Sequence, residues 1–229
     1  MEFFTPEFLS ALAAIVVIDL ALAGDNAIVI ALAARNLPKA LAHRAIIWGT
    51  FGAIFVRCVM TLAVVWLLGI PGLMAAGGIV LVWIAYKLAK PQEGAEDHGV
   101  APATTFWGAM QTIVIADAAM GLDNVLAVAG AAHGSFALVV IGLLISIPIV
   151  IWGSTLILKW IEKHPWIVNV GVAVLAWTAA KMIVSEPYLA DFFASHRVVA
   201  YGLYVAVIGG VFGAAWAAKR RRTLAAAGD

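Results

Sequence analysis

The chain has 229 residues, 64% of them hydrophobic and 12% charged, with net charge +1 and mean hydropathy +1.03. Soluble domains carry about a quarter charged residues, so an aqueous globular domain is excluded and a bilayer is the expected solvent. The near-neutral charge carries no signature of a nucleic-acid partner, and one cysteine, Cys58, excludes an intrachain disulfide or a cysteine-built metal cluster.

A spanning helix needs about 20 mostly apolar residues. Seven such stretches are expected, at roughly 7–33, 45–68, 73–90, 106–131, 136–159, 166–184 and 198–218. The opening M-E-F-F-T-P-E-F has no Lys or Arg, so the first stretch is expected to stay as a helix and not to be a cleaved signal peptide. Pro6 suits a first helical turn. The first connection, 35–44, is basic, and the second, 68–72, is a tight L-G-I-P-G turn. The polar linker 91–105, with Glu93, Glu96, Asp97 and His98, separates a first half, 7–90, from a second, 106–184. The fourth connection, 132–135, is short. The fifth carries Lys159, Glu162, Lys163 and His164, and the sixth, 185–197, is mixed. The last helix, 198–218, runs into Lys219, Arg220, Arg221 and Arg222.

Lys and Arg stay on the cytoplasmic side of a cell membrane. An external N-terminus and a cytoplasmic C-terminus put Arg35, Lys39, Arg44, Lys90, Lys159, Lys163 and the tail inside. Arg197 is then the one loop cation outside. The opposite placement reverses the bias.

The two halves repeat. At an offset of 98, residues 15–31 match 113–129 at seven of seventeen positions, including Asp19/Asp117, Asp25/Asp123 and Asn26/Asn124. At an offset of 94, Pro71 matches Pro165, Trp83 matches Trp177 and Lys87 matches Lys181. Three crossings per half make the second half enter from the opposite side. The expected architecture is therefore an all-α membrane protein of seven transmembrane helices, two inverted three-helix repeats plus one C-terminal helix.

The shared motif is D-x5-D-N: D-L-A-L-A-G-D-N at 19–26 and D-A-A-M-G-L-D-N at 117–124. Each Asp at a bilayer centre costs roughly 2.5–3.5 kcal/mol, and intramembrane acids are functional by default. Positions seven apart share a helical face, so Asp19 and Asn26 line one stripe while Asp25 points elsewhere in a regular helix. A break near Gly24 would turn Asp25 toward Asp19. Packed across a pseudo-two-fold, Asp19, Asp25, Asn26, Asp117, Asp123 and Asn124 would form an all-oxygen cation site. Hard oxygen donors suit Mg, Ca and Mn. Four buried carboxylates cannot all stay ionised once the ion leaves, which offers a proton-exchange cycle. The plainer use of such groups is polar packing between helices, especially for the two Asn.

Arg57, inside the second helix, is placed for charge compensation or gating. Lys87 and Lys181, in a repeated W-x3-K, are placed for gating or for snorkelling to the interface. His43, His98, His133 and His164 flank helix ends and read as interfacial.

The paired D-N motifs and the three-plus-three repeat resemble the TerC family of integral membrane proteins, from about Phe8 to Lys181. The resemblance implies metal ligation by Asp19, Asp25, Asn26, Asp117, Asp123 and Asn124, and export of Mn²⁺ as transported substrate with no resident cofactor. The leading expectation is a secondary exporter of a divalent cation, by proton antiport, and not an enzyme. The rivals are a non-transporting membrane scaffold or metal-stress sensor, which some relatives suggest, and an intramembrane aspartyl protease. The last uses G-x-G-D, which neither L-A-G-D nor M-G-L-D matches. Oligomeric state is left open by the sequence.

Overall fold

The computed structural model describes residues 5–63, 67, 70–90, 105–132 and 135–225. The side chains at 21–23, 123, 126, 129 and 221–225 lie outside that description, as do linker residues 91–104 with His98, and His133. Every regular element among the described residues is a helix.

Helix α1 is Pro6–Ala34, with Pro6 in its first turn and the Thr5 hydroxyl accepting from the Phe8 amide at 3.2 Å. Its segments Pro6–Leu20 and Gly24–Ala34 diverge by 48°, so α1 bends where a break was considered. Helix α2 is Lys39–Leu62 and starts directly after Pro38. The expected basic connection is therefore shorter than 35–44, because Lys39, His43 and Arg44 already lie in α2. Helix α3, Leu73–Ala89, follows Gly72, whose φ of 78° is a left-handed conformation that glycine adopts without penalty. Helices α4 (Phe106–Ala131) and α5 (Phe136–Lys163) open on Thr105 and Ser135, whose hydroxyls accept backbone amides. Helix α6 is Trp166–Val184. The sixth connection holds a helix that periodicity did not reveal, α7 (Pro187–Ser195), before α8 (Arg197–Ala225).

Among the described residues, four helical stretches are long and apolar enough to cross a membrane, and the bent α1 makes a fifth. This is fewer than the seven expected, and two helices account for the difference. Helix α3 has 17 residues, about 26 Å at 1.5 Å per residue. The described apolar stretch of α4 runs over Phe106–Leu122, because the Asp123 side chain lies outside the described residues.

Helix α1 packs most extensively along α5, α2 along α4, and α3 along α6, with α8 laid against α6 and α3. Exchanging α1–α3 for α4–α6 maps this pattern onto itself. Two close approaches show the same relation. A Cβ at Gly142 on α5 would run into Ile15 on α1, and a Cβ at Gly49 on α2 would lie 2.8 Å from Ile113 Cδ1 on α4. Ile15 and Ile113 are repeat mates.

The buried core is aliphatic, with Ile15, Leu32, Ile46, Leu81, Ile84, Ile113, Leu143 and Leu175 almost fully enclosed. The outside is also apolar: Trp48, Phe55, Trp107, Trp152, Trp166 and Trp216 are each at least 60% exposed. Water would penalise such a surface, whereas lipid and its interfaces accept it. The connections sort by end. Arg35, Lys90, Pro165 and Lys219 line one cavity, at the C-terminal end of α1. Thr5, Glu7, Ala132 and Ser135 line another, at its N-terminal end.

Candidate functional site

Three charged side chains meet in the interior. Asp19 from α1 is 2% exposed, Asp117 from α4 is 7% exposed and Arg57 from α2 is 4% exposed. Arg57 Nη1 donates to Asp19 Oδ1, and Nη2 donates to Asp117 Oδ1. One guanidinium therefore spans the same residue of the two motifs. Its planar fork presents donors in two directions, which a lysine ammonium cannot do with fixed geometry. The Ser146 hydroxyl on α5 donates to Asp19 Oδ2, so four helices meet at this point. Gly121 lies alongside: a Cβ there would sit 3.7 Å from Arg57 Nε. Thr61 Oγ1 donates to the Arg57 carbonyl at 2.8 Å.

Several polar side-chain atoms on α1, α2 and α4 are shielded from solvent and have no partner among the described residues: Asp117 Oδ2, Arg57 Nε, Asn26 Oδ1 and Thr50 Oγ1. Buried polar groups are nearly always satisfied, so such atoms call for a ligand, a water or a second conformation. Asn26 is 4% and Asn124 7% exposed, so both carboxamides are interior. Asp25 is half-buried, and its Oδ1 accepts from the Asn26 amide at 3.0 Å. The Asp25 carboxylate therefore lies just past the bend in α1, hydrogen-bonded to the next backbone amide. Asp25 also lies within electrostatic reach of Arg57, Asp117 and Lys181.

The structure thus joins Asp19 and Asp117 through Arg57, buries Asn26 and Asn124, and leaves Asp25 beside the centre. The Asp123 side chain falls outside the described residues. Among those residues, no three His, Cys, Asp or Glu side chains gather as a metal-holding group. The repeated W-x3-K resolves into two unlike contacts. Lys87 Nζ stands over the Trp83 ring at 5.3 Å, whereas Trp177 packs on Tyr204 with centroids 4.4 Å apart and Lys181 is exposed. His43 and His164 are exposed near helix ends. Cys58 is a free, partly buried thiol beside the α1–α5 core.

Two residues escaped sequence reasoning. Ser146 is one of three hydroxyls in the apolar run of α5, with Ser154 and Thr155, and only packing shows that it is the one that meets Asp19. Glu186 lay in a segment read as a connection. It is 2% exposed and accepts from the Gly72 amide at 2.9 Å and the Ala75 amide at 3.1 Å, so it caps α3. A carboxylate flanked by Ser185 and Pro187 gives no sequence signal for that role.

Residues 4–223 match the integral membrane protein TerC family, nearly the whole chain. The chain belongs to the TerC family. Among similar proteins, the uncharacterized membrane protein YjbE of Bacillus subtilis is 48% identical over 193 residues, covering 84% of this chain and 88% of YjbE. The uncharacterized membrane protein YkoY of the same organism is 24% identical, over 70% of this chain and 55% of YkoY. The UPF0053 inner membrane protein YgdQ of Escherichia coli is 23% identical, over 68% of this chain and 72% of YgdQ. No solved structure matches. With four to five helices among the described residues able to cross a bilayer, this TerC protein is a multi-pass integral membrane protein.

Proposed function

We infer that this TerC protein is a secondary exporter of a hard divalent cation, Mn²⁺ first among them, working through two inverted three-helix repeats. The observation that carries the reading is the sharing of one buried cation, Arg57, by Asp19 and Asp117, repeat mates on different helices. Interior carboxylates at symmetric positions belong to the midplane sites of repeat transporters. A single arginine between them holds the charges while no substrate is bound.

A divalent ion cannot draw Asp19 and Asp117 together while the guanidinium lies between them. Arg57 therefore withdraws as the ion enters, and the ion takes oxygens from Asp19, Asp25, Asn26, Asp117, Asp123 and Asn124. The unpartnered Asn26 Oδ1 and Asp117 Oδ2 are donors of the class that hard cations prefer. On release, Arg57 returns to two of the carboxylates and protons from the outer side neutralise the rest. Export of metal against entry of protons follows.

The paired packing of Ile15 on Gly142 and Ile113 on Gly49 supports the inverted repeat. Seven crossings then comprise α1–α6 and α8. The shortness of α3 is met by local thinning of the bilayer, which costs a fraction of a kcal/mol per Å. The end of the bundle bearing Arg35, Lys90 and Lys219 is cytoplasmic under the positive-inside bias.

The test is purified protein in sealed liposomes, with a panel of divalent cations and a pH reporter inside. Mn²⁺ movement should be accompanied by opposite proton movement and slow when the pH gradient collapses. Flux that ignores pH but follows a Na⁺ gradient removes proton coupling alone. No flux for any cation removes the exporter and leaves the scaffold.

A further inference from the structure

We propose that the cavity at the C-terminal end of α1 binds the phosphate of an anionic phospholipid. The cavity measures about 640 Å³ and lies between the ends of α1, α3, α5 and α6 and the flank of α8. Arg35 at the end of α1, Lys90 at the end of α3 and Lys219 on the flank of α8 line it, with one carboxylate, Glu162, among the lining residues. That carboxylate is turned toward Lys39, 3.5 Å away. Among the described lining residues the cations outnumber the carboxylates, although the whole chain carries only +1.

Arg35 is the built part of this site. Its Nη2 donates to the Leu88 carbonyl at 2.8 Å and its Nε to Asn36 Oδ1 at 3.3 Å, which fixes the guanidinium plane. Nη1 is shielded from solvent and has no acceptor. A guanidinium held on two edges with a third donor unmet is preorganised for an anionic oxygen. Helix α6 begins beside it at Pro165 without a side-chain cap, adding the positive end of a helix dipole.

The remaining wall identifies the source of the phosphate. Phe212 and Trp216 of α8 supply apolar and interfacial surface, and Trp216 is 63% exposed. Trp residues favour the headgroup level of a bilayer. A free phosphate has no use for that wall, whereas a lipid lays its glycerol and first methylenes on it. Basic pockets between helix ends are the usual form of such headgroup sites. This site is remote from Asp19 and Asp117, and the proposal stands whether or not the protein transports metal.

The experiment uses the delipidated full chain in a neutral detergent. Dioctanoyl phosphatidylglycerol, dioctanoyl phosphatidylcholine and inorganic phosphate are titrated separately, reading the unfolding midpoint and the lipid retained in native mass spectra. Phosphatidylglycerol should raise the midpoint and be retained, and phosphatidylcholine should do neither. Lys90→Gln and Lys219→Gln should each weaken phosphatidylglycerol binding about fivefold, and the pair about 25-fold, since each cation near a surface charge contributes on the order of 1 kcal/mol. Neither change removes a hydrogen bond that holds α1 to α3, so both proteins should fold, and Lys90→Arg should retain binding. Unchanged phosphatidylglycerol binding in the double variant overturns the site. Inorganic phosphate that displaces phosphatidylglycerol at equal concentration overturns the lipid as its occupant.

Discussion

Arg57 donates to Asp19, 38 positions earlier in the chain, with both side chains buried. The pair does not stand alone, because the second arm of the guanidinium holds Asp117. Removing the arginine leaves two interior carboxylates with no cation. Arg57→Met should therefore destabilise the protein by about 3–5 kcal/mol, the usual cost of breaking a buried pair. Adding Asp19→Asn and Asp117→Asn to it should recover part of that loss. Unfolding in graded denaturing detergent measures both. An Arg57→Met protein as stable as the parent would show that the bridge holds nothing together.

Asp25 behaves differently, because its hydrogen bond to the Asn26 amide needs only an oxygen acceptor. Asp25→Asn keeps that oxygen and removes a charge. Abundance should stay normal while tolerance of excess Mn²⁺ in cells is lost, and Asp123→Asn should do the same. Retained tolerance in both single variants would remove the shared site.

The contact between α3 and α6 depends on a missing side chain. A Cβ on Gly78 would lie 2.7 Å from the Ala179 carbonyl oxygen, a backbone atom that cannot rotate away. At Gly171 the nearest atoms are the side-chain ends Ile28 Cγ2 and Leu32 Cδ1. Gly78→Ala should cost about 1–3 kcal/mol, as overpacking does, and Gly171→Ala less. Equal unfolding midpoints for the two variants would contradict the closeness of this crossing.

Glu186 ties the end of α6 to the start of α3 through the Gly72 and Ala75 amides. Glu186→Ala should lower stability by about 0.5–2 kcal/mol, the range for loss of a helix cap. Gly72→Ala should cost about 1–2 kcal/mol from the left-handed backbone alone. The thermal midpoint of each variant checks this, and an unmoved midpoint in Glu186→Ala would show the cap to be idle.

A reporter fused after Arg222 should read cytoplasmic, and one fused after Met1 external. Both ends on one side would mean an even number of crossings and would contradict the seven-helix count.

The apolar runs, the D-x5-D-N repeat and the side-to-side bias of Lys and Arg were legible because each is a local or periodic property of the chain. Excluding polar groups from hydrocarbon forces long apolar helices, and this marks the helices and their interior acids without reference to a partner. The bounds of α4 and α6 follow the sequence closely for that reason. The start of α2 did not, since Lys39 and Arg44 read as loop until Pro38 is seen to open a helix. Helix α7 is only nine residues and too short for its period to stand out.

What the sequence by itself determined is a helical membrane protein with two matched D-x5-D-N segments and one unmatched arginine, all within apolar runs. It could not say which acids that arginine serves. The same composition allows Arg57 to face Asp25, Asp123 or lipid headgroups. Only the tertiary structure decided that it joins Asp19 to Asp117, with Ser146 behind Asp19. It alone also gathered Arg35, Lys90 and Lys219 around one cavity and set Glu186 on the amides of α3. The physical reason is the same in each case. Ion pairs and caps between distant segments depend on how helices are laid side by side, and that is set by close approaches such as Ile15 on Gly142, which no periodicity records.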